Sequence, residues 1–313
     1  MPSRMPQAFD RVTTFRFHLS LLGALAPMVV MAALVQGPWI LVNIALGVGT
    51  SWAADELLRR LRRVVEPQDL AAPLWGLLLA LLLPVQAPFY LPVLGSLFSV
   101  LVVKGLLGGG ATPWVNPVLA AWAFLQTGWA SEFPAKAAAL GGNRTAFDQQ
   151  ATDWLNNNLF SWFSIQLPGG YLDLFVGLAH PSTALVAESG TLVLLLATVY
   201  LLAKGFLPWE VPAFFFLGFA VPLALVGGDV LLQVFSGSFL ICLFFLASDS
   251  SSRPLSRLGL ILYGLGAGLM AFLVRTWGTG GDGVGYAVLV MNLVVPWLDR
   301  RLKRKSLNDF RLA

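Results

Sequence analysis

The sequence predicts an all-α polytopic membrane protein of about ten transmembrane helices in two five-helix halves, with both termini cytoplasmic. Three observations predict it. The 313 residues are 57% hydrophobic and only 12% charged, at a mean hydropathy of +0.75. A soluble domain carries roughly 25% charged residues, and so much apolar side chain exceeds what a soluble core of this length buries. Long charge-free stretches are the second observation, and the one-sided distribution of Lys and Arg is the third.

A helix needs about 20 apolar residues to cross a bilayer. Residues 1–16 read as a cytoplasmic segment, and 17–54 hold no Asp, Glu, Lys or Arg, enough for two spans hinged near Gly37-Pro38. The first apolar stretch runs on without a small-residue cleavage pattern, so it reads as a retained helix rather than a signal peptide. Residues 70–103 are also charge-free, and Pro84, Pro88 and Pro92 break them into segments near 70–87 and 90–106. A fifth span lies near 114–130, completing a first membrane half over 17–130. The second half, 184–299, holds spans near 184–203, 211–227, 229–247, 257–274 and 283–299, followed by a basic tail at 300–313.

Positive charge tests this count. With the N-terminus inside, seventeen of the twenty Lys and Arg residues fall on the cytoplasmic side, and Lys136, Arg144 and Arg275 fall outside. A miscounted span would move every later loop to the other side, so the sorting supports ten spans. The net charge of +4 follows from membrane orientation and gives no reason to expect nucleic acid as a partner. The tail at 300–311 reads as a contact for anionic lipid or a cytoplasmic subunit.

Five spans on each side of loop 131–183 make the halves inverted repeats about an axis in the membrane plane. Val115-Asn116-Pro117-Val118 with Trp122 has a counterpart in Met291-Asn292-Leu293-Val294 with Pro296 and Trp297, although convergent helix-end chemistry explains the match equally well. The loop, rich in Asn, Gln and Gly with Trp154, Trp162 and Tyr171, is too long for a connector and reads as partly ordered against the membrane.

The residues exclude several chemistries. One cysteine, Cys242, permits neither an internal disulfide nor an iron–sulfur cluster of the chain's own. Two histidines, His18 and His180, cannot clamp two haems, and there is no zinc-ligand spacing, catalytic triad or Walker loop. Any redox cofactor is therefore organic, a flavin (riboflavin or a derivative of it) or a quinone. Ionisable residues near spans are few: Glu188 opens the sixth, Asp229 and Asp282 read as outside turns, and Arg275 reads as an interfacial anchor. Residues 247–254 read as a cytoplasmic turn whose Asp and Ser cap helices.

Several runs together resemble the D subunit of the Rnf electron-transport complex and its relative, the B subunit of the Na⁺-translocating NADH:quinone reductase (the RnfD/NqrB family). They are 77–84, Val103-Lys104-Gly105-Leu106-Leu107-Gly108-Gly109, Asn116-Pro117, Ala247-Ser248-Asp249 with Pro254, Arg275, 282–287, and Met291-Asn292 through Asp299. The resemblance implies a subunit of a multi-subunit redox-driven ion translocase in the bacterial inner membrane, relaying electrons by a flavin near the extracytoplasmic surface. It implies FMN esterified to a threonine of the outside loop, for which Thr152 is the candidate, and makes Glu188, Ser189, Asn116 and Lys104 candidates for cofactor binding. Other redox and membrane subunits are the implied partners, beside the lipid bilayer.

The chain departs from the family pattern around that flavin. In Asp148-Gln149-Gln150-Ala151-Thr152-Asp153, Gln150 replaces a small residue, Asp153 replaces proline, and the spacing from Asp148 is short. Asp69-Leu70-Ala71 replaces Asp-Gly-Ser, and the run before Glu188 is altered. Two alternatives follow: a cofactor-free scaffold subunit of the same complex, with Thr152 a plain surface threonine, or a small-solute channel or transporter built on the inverted repeat and the broken third helix.

Overall fold

The computed structural model describes residues 7–63, 70–107, 115–133, 146–158, 173, 185–249, 252–278 and 282–309. The regular structure among these residues is all helical, and the one β-bridge among them joins Pro84 to Leu185. Helix α1 (Gln7–Gln36) begins ahead of the expected first span and is followed by α2 (Trp39–Arg62). The expected hinge is present, with Gly37 at φ +99° and Pro38 starting α2. Helix α3 (Ala71–Leu82) ends where Leu83 turns extended ahead of Pro84. Then come α4 (Tyr90–Leu97), running on as a π-helical segment Phe98–Leu107, and α5 (Pro117–Gly128). The long loop over 131–183 contains a polar helix, α6 (Ala146–Asn158). His180 and most of the rest of that loop lie outside the described residues.

A 3₁₀ turn, Val186–Gly190, leads into α7 (Thr191–Ala203), then α8 (Glu210–Leu225), α9 (Val230–Phe235) and α10 (Phe239–Ile241), which continues as a π-helical segment Cys242–Leu246. Helices α11 (Arg257–Trp277) and α12 (Val284–Asp309) complete the chain. Among the described residues, four stretches are long and apolar enough to cross a membrane: Phe15–Gln36, Tyr90–Leu107, Val186–Ala203 and Arg257–Trp277. Leu34, Leu196, Val199 and Leu225 face outward, as lipid-facing side chains do.

Helix α3 is apolar on every face and buried at every residue, with α1, α2, α4 and α5 packed around it. It meets α2 through small residues: a Cβ on Gly47 would stand 2.9 Å from the carbonyl oxygen of Gly76. Helices α8 and α11 approach the same way, because a Cβ on Gly264 would stand 2.9 Å from the Val211 oxygen. Backbones come this close in membranes where small residues line the interface.

The segment expected as one continuous span near 229–247 is broken. Its ladder stops at Ser236, and Gly237 takes φ +70°, a conformation glycine adopts without a Cβ penalty. The reason lies in distant carboxylates that receive the N–H groups freed by the break.

Candidate functional site

Broken helices leave backbone donors that water cannot reach inside a membrane, so protein groups must take them. At the break between α9 and α10 the Gly237 N–H donates to Glu188 Oε1, and the Ser238 N–H donates to Asp282 Oδ2. Glu188 Oε2 also accepts the Leu185 N–H at 3.2 Å, closing its own turn. That turn is pinned to the end of α3, since the Val186 N–H donates to Leu83 O at 3.1 Å. The break in α3, the start of α7 and the break before α10 are thus tied together.

Arg275, at the end of α11, anchors the same place. Its side chain is 5% exposed and ion-paired with Asp282. Nε donates to Asp282 Oδ1 at 3.0 Å, Nη2 to Ser236 O at 2.7 Å, and Nη1 to Gln233 O. The guanidinium carbon lies 5.6 Å from the Phe239 ring centroid and 5.9 Å from that of Phe219. This corrects the interfacial-anchor reading: every edge of the guanidinium is spent inside the protein. Asp282 likewise is no plain turn residue. Asp229 does cap a helix, accepting the Leu232 N–H at 3.0 Å.

Asn116 forms a second centre. Its Oδ1 accepts the N–H groups of Val118 and Leu119, capping α5, while Nδ2 donates to Leu246 O at 3.1 Å and Asp249 Oδ2 at 3.4 Å. The start of α5 is thereby fixed to the end of the second π-helical segment. Nearby in the chain, Arg253 Nη1 donates to Ser248 O at 3.4 Å; burial lowers its guanidinium from the ordinary range while Asp249 and Glu210 oppose that shift. Deeper in α11, Tyr263 Oη donates to Asn292 Oδ1 at 2.7 Å.

Lys104 forms a third. Nζ donates to Asp55 Oδ1 at 2.6 Å and lies 5.5 Å from the Trp75 ring centroid. Glu188 and Ser189 share the first centre, whereas Lys104 and Asn116 each hold a different set of partners, so the five candidates do not form one site. Thr152 lies on α6 and is buried, which corrects the surface-threonine reading. Ser189 Oγ and Ser236 Oγ are buried without a hydrogen-bond partner. Sequence reasoning missed the pairing of Arg275 with Asp282; a Gly before Asp282 and a lone arginine ending an apolar helix were the only traces of it.

Fold and centres together define a multi-pass membrane protein whose polar groups clasp interrupted helices. The NQR2, RnfD, RnfE family model matches residues 2–308, and the chain belongs to that family. It is 31% identical over 304 residues to the D subunit of the Na(+)-translocating ferredoxin:NAD(+) oxidoreductase complex of Acetobacterium woodii, covering 97% of this chain and 93% of that protein. It is 32% identical over 271 residues to the D subunit of the ion-translocating oxidoreductase complex of Stutzerimonas stutzeri, covering 77% of this chain and 76% of that one.

Proposed function

We propose that this chain is the D-type membrane subunit of an Rnf-like, ion-translocating electron-transport complex in the bacterial cytoplasmic membrane. The similarity to a subunit of that name along 97% of the chain carries the reading. It takes the chain as ten spans in inverted halves with both termini cytoplasmic. In support, α1 packs on α7 and α5 on α12, the first and last helices of each half meeting across the middle. Membranes lacking the chain should lose redox-driven ion uptake and regain it on complementation; uptake that persists without it contradicts the proposal.

FMN, where a subunit of this kind carries it, supplies one-electron chemistry, and the protein supplies position and burial. The residues here do not fit a phosphoester at Thr152. That side chain is 6% exposed, and the exposed carboxylate of Asp153 beside it would repel a phosphate. Glu188, Asn116 and Lys104 already hold protein partners. These observations favour a second reading, a subunit of the same complex that lacks covalent FMN and serves by packing and by holding its partners. Denatured protein made beside its maturation machinery should then show no in-gel flavin fluorescence. A fluorescent band that disappears in Thr152→Ala would establish covalent FMN and restore the electron relay.

A further inference from the structure

We infer that the ends of α2 and the first π-helical segment form a binding site for an anionic phospholipid on the face the charge sorting assigns to the cytoplasm. Arg59, Arg60, Arg62 and Arg63 close α2, and Lys104 lies one turn from the end of the π-helical segment. Among the described residues two carboxylates stand with them: Asp55, taken by Lys104, and Glu56, which meets Arg59 at 3.3 Å and Arg60 at 2.8 Å. The described part of the patch therefore stays cationic. An exposed pair such as Arg60 with Glu56 holds weakly and yields readily to a competing phosphate.

The site is built. Arg62 Nη2 donates to Gly105 O and fixes one arm against the other. Arg63 takes φ 52° and ends the helix, its N–H returning to the oxygens of Arg59 and Arg60. Exposed Leu57 and Leu61 on α2, with Leu106 and Leu107 on the other arm, adjoin these cations. A phosphodiester headgroup would meet the guanidinium groups while its acyl chains cover the leucines. A soluble acidic partner could use the charges and would leave the leucines bare, so the lipid is the occupant that matches both halves of the surface.

Native mass spectrometry of the full chain, with added phosphatidylglycerol or phosphatidylcholine, tests this. Phosphatidylglycerol adducts should survive collisional activation that strips phosphatidylcholine. Arg60→Ala/Arg63→Ala should weaken phosphatidylglycerol binding on the order of tenfold, since each surface cation contributes modestly. Both side chains are exposed, so thermal stability in a zwitterionic detergent should not change. Arg300→Ala/Arg301→Ala, an equally basic pair on α12, should leave the adduct intact. Equal retention of the two lipids overturns the proposal, as does loss of the adduct on the α12 substitutions alone. Unchanged lipid binding with loss of a soluble subunit on co-purification also overturns it, and reassigns the patch to a protein.

Discussion

Arg275 shows how much one side chain can hold in a membrane protein. Its donors reach Asp282, Ser236 and Gln233, and Asp282 in turn takes the N–H of Ser238. Removing one member of a buried pair leaves the other charge stranded, which costs about 3–5 kcal/mol. Arg275→Met should therefore lower thermal stability in detergent steeply, and Arg275→Met/Asp282→Leu should recover part of the loss; a double variant no better than the single would contradict the pairing. Glu188→Gln keeps an acceptor for Gly237 and should cost less than Glu188→Ala. In the sequence these charges were visible but their partners were not. Glu188 and Gly237 are 49 residues apart, and no local pattern tells a buried arginine at a helix end from one that reaches to the membrane surface.

Among the elements, the Pro-broken third segment was legible because proline carries its own reason to end a helix. The interruption between α9 and α10 left one local trace, Ser236-Gly237-Ser238 within an apolar stretch, but the break depends on Glu188 and Asp282 arriving from elsewhere. The close approach of α8 and α11 was also written in the chain, as Gly264 and Gly268 at helical spacing, although glycine in an apolar run points equally to turns. A Cβ on Gly268 would stand 2.9 Å from Phe219 N, and backbone cannot step aside as a flexible side chain does. Gly268→Val should push the helices apart and cost about 1–3 kcal/mol or more. Gly23→Ala in α1 meets nothing within 4 Å and, with alanine the better helix former, should leave the melting temperature unchanged or slightly raised when the two are compared side by side.

For the whole molecule, composition and the long charge-free stretches made an all-helical, multi-pass membrane protein legible, while the spatial arrangement of the candidate site residues was not. Thr152, Glu188, Asn116 and Lys104 stand out by residue type and resemblance, yet only the fold reveals that the last three are spent on joining helices. Orientation has a direct check. In a Cys242→Ser background, Ser131→Cys should react with an impermeant thiol reagent from outside, and Ser306→Cys only after the membrane is opened. Mild-detergent purification of the tagged chain from its native membrane, with mass spectrometry of what comes with it, tests whether the chain works inside a redox complex. Stoichiometric recovery of redox subunits together with other membrane subunits is the expected result. A chain that purifies alone, and that moves a small solute in liposomes without an electron donor, would contradict it.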